Sequence, residues 1–305
     1  MWNMELGRFL IGVQDEGISH ILSQIISDEI KSVYQVCERY GLEEDEVRYY
    51  DVYEVECASG KRVLKQTDTR EVYNYETYLL DKNFPVPRYY GKYIQEDIVW
   101  ILVEYVSGDD LRNMTDTLAI DSADCLAQIQ NKYWQQDENE FLHNKTDDRF
   151  EVYWKRILKR AESVVDNSKL RKAYQLFLDR QLVCPRTLSN GDFLQYNVMQ
   201  EDDTVKIIDW GFGGIMPYSL DIARFIAHAT KTGCTFPFFM TDEQKILFIN
   251  RVYEKLTRKP EYEQYLQDIK LSVLNEYIEF VEAEEDENKW YYYHALQLAD
   301  EILYE

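Results

Sequence analysis

The sequence is short of most features that would take it outside the ordinary globular proteins. It has five cysteines in 305 residues, an odd number, and no CxxC pair. Cys37, Cys57, Cys125, Cys184 and Cys234 are widely spaced. A disulfide framework or a thiolate zinc site needs paired or clustered spacing, so neither is expected. The cysteines read instead as free, packed thiols in a reducing compartment, the cytoplasm. No Pro- or Ser-rich linker divides the chain, and no internal repeat is visible. No window approaches the run of about 18 apolar residues that a membrane span requires. The start, Met1-Trp2-Asn3-Met4-Glu5, has neither a basic region nor a long apolar run, so no secretory leader is expected. Positive charge is scarce: 34 Lys and Arg against 56 Asp and Glu give a net charge of −22. Nucleic acids and anionic membranes are therefore poor partners, because both are bound through cationic side chains. A cationic small molecule would be steered towards such a surface.

What is present is a change of pattern along the chain. Residues 16 to 40 read as a helix, with Ile18, Ile21, Leu22, Ile25 and Ile26 near helical spacing and Gly41 as the stop. From Val47 to Cys57 the residues alternate, as in a strand. Ala58-Ser59-Gly60-Lys61 is a turn, and residues 62 to 67 form the returning strand. A helix is expected over residues 69 to 82, closed by Pro85 and Pro87. Strands follow over residues 89 to 93 and 98 to 105. After the break at Ser107-Gly108-Asp109-Asp110 the pattern is mainly helical, near 122–136, 149–167, 168–181, 219–230, 242–257, 261–284 and 288–304. One strand-rich interruption covers residues 187 to 209. Sheet first and helices later predicts an α+β protein of two lobes, residues 1–106 and 107–305.

The chemistry concentrates in that interruption. Asn190-Gly191-Asp192-Phe193-Leu194-Gln195-Tyr196-Asn197 is followed by Ile207-Ile208-Asp209-Trp210. Asn197 opens a strand, residues 201–203 make a polar turn, and residues 204–209 return, with Val205, Ile207 and Asp209 on one face. A hairpin brings its first and last residues to the same end, so Asn197 and Asp209 should meet. Magnesium prefers oxygen ligands such as a carboxylate and an amide carbonyl, completed by phosphates and water. Asp192, five residues before Asn197, could orient a hydroxyl and accept its proton. Upstream, Val63-Leu64-Lys65 alternates so that Val63 and Lys65 share a face. A valine there could cover an adenine while the lysine reaches the phosphates.

The segment resembles the His-Gly-Asp-x4-Asn and Ile-Asp-Trp motifs of aminoglycoside phosphotransferases, which are similar to choline kinases. Asp209-Trp210-Gly211-Phe212 and Asp221-Ile222-Ala223-Arg224-Phe225 resemble the family's run from the magnesium loop into the next helix. The resemblance implies a protein-kinase-like fold, with a small antiparallel-sheet N-lobe and a larger, mainly helical C-lobe. It implies an ATP- or GTP-dependent small-molecule kinase with Asp192 catalytic and Asn197 and Asp209 holding Mg2+. Asn190, Asp221 and Arg224 would support the loop. Glu76 would hold Lys65, with Glu71 as the runner-up. Residues 100–108 resemble the strand and hinge, so adenine would bond near Glu104 to Val106. The family's acceptors are aminoglycosides, choline, macrolides, sugars and amino-acid-like alcohols. An aminosugar or amino alcohol, cationic and bound by Glu282, Glu285 and Trp290, is the leading expectation here.

Two departures stand out. Position 190 is asparagine where the family has histidine. If that histidine mainly bonds nearby backbone, asparagine can replace it, since it carries both donor and acceptor. No glycine lies between Gly41 and Gly60, and Glu43, Glu44, Asp45 and Glu46 precede the strand where a phosphate-covering loop would be. These departures motivate an alternative reading, a kinase fold that binds but does not catalyse.

Overall fold

The computed structural model describes residues 7–39, 47–137, 140, 147–202, 204–229, 238–283 and 286–304. The acidic segment Glu43–Glu46, Cys234 and Glu285 lie outside the described residues. Two compact units emerge, Met1–Ser107 and Gly108–Glu305.

The first unit is an antiparallel sheet of six strands. They are β1 (Arg8–Gly12), β2 (Ile30–Arg39), β3 (Val47–Cys57), β4 (Gly60–Thr67), β5 (Tyr89–Gln95) and β6 (Ile98–Glu104), in the order β1-β2-β3-β4-β6-β5. Helix α1 (Glu16–Ile25) lies against one face. Ile18 and Leu22 pack there with Tyr53, Val55, Cys57, Leu64, Trp100 and Leu102. The single helix expected over residues 16–40 is corrected: it ends at Ile25, and β2 takes the second half. Val33, Tyr34, Val36 and Cys37 are β-branched, aromatic or small residues that suit a strand, and β3 offers an unpaired edge that a helix could not use. Strand β1, which then pairs with β2, has no counterpart in the expectation. Helix α2 (Thr69–Asn74) starts at the Asp68 cap, whose carboxylate accepts from the N–H groups of Arg70 and Glu71. It passes into a π-helical turn, Tyr75–Leu79.

The second unit is built on helices α3 (Asp116–Tyr133), α4 (Arg149–Arg160), α5 (Ser168–Val183), α6 (Ser219–Ala227), α7 (Asp242–Lys255), α8 (Tyr262–Glu282) and α9 (Trp290–Tyr304). Ile157, Tyr174, Phe177, Leu274, Ile278, Ala295 and Ala299 form the core that joins α4, α5, α8 and α9. Burying an isoleucine, leucine or phenylalanine of this core contributes roughly 1.5–3 kcal/mol. Two small sheets are set into this unit. Strands β7 (Asp109–Asp110), β9 (Val198–Glu201) and β10 (Thr204–Ile207) lie in the order β10-β9-β7, and β8 (Arg186–Ser189) pairs with β11 (Gly214–Pro217). Gly108 is required beside β9, because a Cβ there would sit 1.3 Å from the carbonyl oxygen of Gln200. No helix among the described residues is long and apolar enough to cross a membrane.

Candidate active site

Two loops of the second unit are bracketed by the same two pairings. At one end Ser189 of β8 lies opposite Gly214 of β11. At the other, Val198 of β9 lies opposite Ile207 of β10, and the N–H of Ile208 donates to the carbonyl of Asn197 at 2.9 Å. Residues 190–197 and 208–213 therefore run side by side. That places Asp192 and Asn197 on one loop and Asp209 on its neighbour.

Asn190 ties the loops together. Its Nδ2 donates to the carbonyls of Ile208 and Asp209, at 3.2 and 3.0 Å, and its Oδ1 accepts from the N–H of Asp192 at 3.2 Å. Gly191 follows in the left-handed region, φ 79°, where a Cβ would meet the carbonyl oxygen of Phe212 at 2.2 Å. Only glycine allows this close approach of the two loops. Below them, the carboxylate of Asp221 on α6 accepts from Ser189 Oγ (2.6 Å), the N–H of Asn190 (2.7 Å) and the N–H of Gly191 (3.0 Å). Asp221 is buried, and burial pushes its carboxyl up to about 6, although these three donors pull the other way.

Asp192 is gripped from two sides. Asn197 Nδ2 donates to its carbonyl at 2.7 Å and to its Oδ2 at 3.0 Å. Arg224, one helical turn from Asp221, donates to its Oδ1 through Nε (3.1 Å) and Nη2 (2.9 Å). Because Asn197 uses its amide nitrogen on Asp192, its carbonyl oxygen is turned away from that residue. Asp209 does not continue the β10 alternation. It sits in the left-handed region at φ 57°, a conformation that aspartate tolerates better than bulkier residues. Gly211 follows, where a Cβ would make only an ordinary contact with Asp209 Oδ1, at 3.8 Å. An amide oxygen and a carboxylate on adjacent loops form an incomplete set of hard oxygen donors. Such a set suits a divalent cation whose remaining ligands are phosphates and water. Among the described residues no group of three or more His, Cys, Asp or Glu is gathered for a metal.

In the first unit Val63 and Lys65 share the sheet face opposite the buried Leu64 and lie beside Val103 and Ile101 of β6. The expected partner of Lys65 is corrected. Lys65 Nζ lies 2.9 Å from Glu71, whose side chain is 1% exposed. Glu76 instead bonds Lys92 (2.7 Å) and Tyr89 (3.1 Å) at the surface. The reason is local: β4 runs straight into α2, so the first helical turn, with Glu71, faces back over the strand. Glu76 falls on the outer side of the π-helical turn. At the end of β6, the N–H of Glu104 donates to the carbonyl of Arg88 at 2.8 Å and its carboxylate accepts from the N–H of Arg88 at 3.0 Å. That N–H is therefore committed within the unit, whereas Val106 lies beyond the strand.

The expected acidic substrate wall is also altered. Glu282 accepts from the buried Arg160 Nε at 3.1 Å, and Glu279 lies 3.0 Å from Arg160 Nη2. Glu279 also meets Arg156, so both carboxylates are paired with arginines within the unit. Trp290 stacks on His294 with centroids 3.9 Å apart and meets Tyr277 edge-on. The residue that sequence reasoning missed is Glu276 of α8, bonded to Arg224 at 2.8 Å. A signal for it was present: Asp268, Ser272, Asn275 and Glu276 recur at helical spacing among apolar residues, and polar groups on a buried face need partners.

The phosphotransferase enzyme family matches residues 51–237, more than half of the chain, and the chain belongs to that family. It is a nucleotide-dependent phosphotransferase with an alcohol group as acceptor. No curated protein matches the sequence. Among solved structures it is similar to the amicoumacin kinase hAmiN in complex with AMP-PNP, Ca2+ and Ami, with 11% identity, a TM-score of 0.56 and coverage of 95% of this chain and 93% of that one. It is similar to an aminoglycoside phosphotransferase from Alicyclobacillus acidocaldarius, at 11% identity, TM-score 0.54 and 93% coverage of each chain. A Plasmodium vivax ethanolamine kinase is similar at 13% identity and TM-score 0.53, covering 89% of this chain and 74% of that one. At these identities the likeness establishes the kinase-like fold, an antiparallel-sheet N-terminal unit followed by a helical one.

Proposed function

We propose that this chain transfers the γ-phosphate of Mg2+-bound ATP or GTP to a hydroxyl of a small amino alcohol, aminosugar or aminoglycoside. The observation that carries the reading is the pair of bracketed loops, which bring Asp192, Asn197 and Asp209 together. Asp192 orients the acceptor hydroxyl and takes its proton. Asn197 Oδ1 and the Asp209 carboxylate would hold the cation, whose charge would offset that of the phosphates. Asn190 and Asp221 keep the loops in register. Lys65, held by Glu71, contacts the phosphates, Val63 covers the base, and the backbone near Val106 meets its edge. The amicoumacin kinase neighbour, described with AMP-PNP and Ca2+, supports a nucleotide and a divalent cation. The ethanolamine kinase neighbour and the net charge of −22 support a cationic acceptor. Since Glu282 is committed to Arg160, that acceptor would draw on Trp290, Glu285 and the overall field. Among the described residues Cys37, Cys57, Cys125 and Cys184 are free thiols, which supports a reducing, cytoplasmic setting.

Thermal unfolding with and without magnesium-ATP and magnesium-GTP tests the reading, for wild type and Asp209→Asn. A ligand at a hundred times its Kd adds about 2.7 kcal/mol to the folded state. The expected result is a magnesium-dependent rise in Tm that shrinks in the variant. The preferred nucleotide then enters a transfer screen against amino alcohols, aminosugars and aminoglycosides. No shift with either nucleotide at millimolar concentration would overturn the proposal.

A further inference from the structure

Helix α8 carries two buried carboxylates, each paired with an arginine. Asp268 holds Arg180 through Nε at 2.6 Å and Nη2 at 2.9 Å, and accepts from the hydroxyl of Tyr218 at 2.8 Å. Glu276, two turns later, accepts from Arg224 Nη1 at 2.8 Å and lies 3.1 Å from His228 Nε2. The difference lies in what the arginine does with its other edge. Arg224 spends Nε and Nη2 on Asp192 Oδ1.

A carboxylate has about four lone-pair positions, two on each oxygen. On Asp192, Arg224 takes both positions of Oδ1, and Asn197 takes one of Oδ2. One acceptor position on Oδ2 is left for an incoming hydroxyl. Which oxygen is left depends on Arg224 keeping its plane, and a guanidinium on a flexible stem keeps its plane only when its far edge is fixed. Glu276 fixes that edge. Behind it His228 is fully buried, and burial works against its charged form. Its Nε2 lies 3.1 Å from Glu276 and 3.4 Å from Arg224 Nη1, and its Nδ1 lies 3.1 Å from the Tyr291 hydroxyl.

Building on the assignment of Asp192 as the base, we infer that Glu276 is a positioning residue for phosphate transfer, acting through Arg224 to present Asp192 Oδ2 to the acceptor. The acceptor hydroxyl gives its proton to Oδ2 as its oxygen bonds the γ-phosphorus. The bond from phosphorus to the β–γ bridging oxygen breaks, and the nucleoside diphosphate leaves. Glu276 touches none of the reacting atoms.

The test compares Glu276→Gln with Asp268→Asn, a carboxylate of the same helix that does not reach Asp192. Should Asp268→Asn fail to fold, Arg180→Lys replaces it. Phosphate release from magnesium-ATP, and transfer to the best acceptor of the screen, are followed alongside Tm. Misplacing a catalytic group by about 1 Å costs about a hundredfold. Glu276→Gln should lower kcat by about tenfold to a hundredfold, with both KM values within about threefold, whereas the control keeps its kcat. Arg224→Ala should be inactive and regain part of its kcat with added methylguanidine. The Arg224 Nε–H resonance, assigned by its loss in Arg224→Lys, should shift in Glu276→Gln and stay in place in the control. A change in acceptor KM alone, an equal kcat loss in both variants, or an unmoved resonance would overturn the inference. If wild type neither turns over nor binds magnesium nucleotide, the proposed function itself fails. The resonance still decides whether Glu276 orients Arg224.

Discussion

Exchanging the partner of Lys65 gives a quantitative prediction. Glu71→Gln keeps the shape of the side chain and an acceptor for Thr67 Oγ1, which lies 2.5 Å from Glu71 Oε2, but removes the charge that Lys65 meets at 2.9 Å. Coulomb's law at that distance gives about 1.4 kcal/mol with the screening of water and about 6 kcal/mol at an effective dielectric of 20. The Lys65 side chain is 18% exposed and can turn partly to water, while Glu71 is almost fully buried, so the loss should fall between these limits. We expect about 2 kcal/mol, less than the 3–5 typical of breaking a fully buried pair. With a urea m-value of about 2 kcal/mol/M the unfolding midpoint drops by about 1 M. Glu76→Gln disrupts a pair whose side chains are 37% and 40% exposed, and should cost no more than about 0.5 kcal/mol. Urea unfolding followed by circular dichroism measures both. Titration with magnesium-ATP should show weaker binding only for Glu71→Gln, because Lys65 then loses the carboxylate charge it meets at 2.9 Å. Equal losses in the two variants, or a larger one for Glu76→Gln, would refute the assignment.

Two further outcomes are expected. Asp221 has a raised carboxyl, about 6 against 3.8 unfolded, so the folded state binds the extra proton between those values. Its contribution to stability is present in full below about pH 4 and is lost as pH rises through about 6, by up to about 3 kcal/mol. Urea unfolding at pH 4 and pH 7 should therefore show the advantage of wild type over Asp221→Asn growing as pH falls. For Asn190, the alanine variant loses both bonds to the second loop and should reduce phosphate transfer at least tenfold. Asn190→His keeps a ring N–H for the carbonyls of Ile208 and Asp209 and should transfer phosphate within about threefold of wild type. A large gain with histidine would instead show that asparagine weakens the loop.

The nearness of Asp192, Asn197 and Asp209 was legible because their geometry is local. Asp192, Asn197 and Asp209 lie within eighteen residues, and one short hairpin with a polar turn brings their ends together. Strands β3 to β6 were legible for a similar reason, since each reads as an alternating run between turn or proline signals. The stretch from Ile30 to Arg39 was not. Ile30, Val33 and Val36 continue a plausible helical spacing after α1, and only the open edge of β3 makes a strand the better outcome. Glu71 and Glu76 are the same residue type five positions apart, and the sequence favoured Glu76 with Glu71 as the runner-up. The Asp68 cap and the π-helical turn set the rotation that turns Glu71 inward. Glu282 looked like a free surface carboxylate until Arg160, more than a hundred residues earlier, was found against it. Glu276 shows the same limit: its helix is visible in the sequence, but its link to Asp192 runs through Arg224 on another helix. By itself the sequence determined the succession of a sheet-rich unit by a helical one and the local chemistry of the two loops. The partner of each buried charge was decided only by tertiary packing, because a charge removed from water must be met by whatever group the fold brings to it.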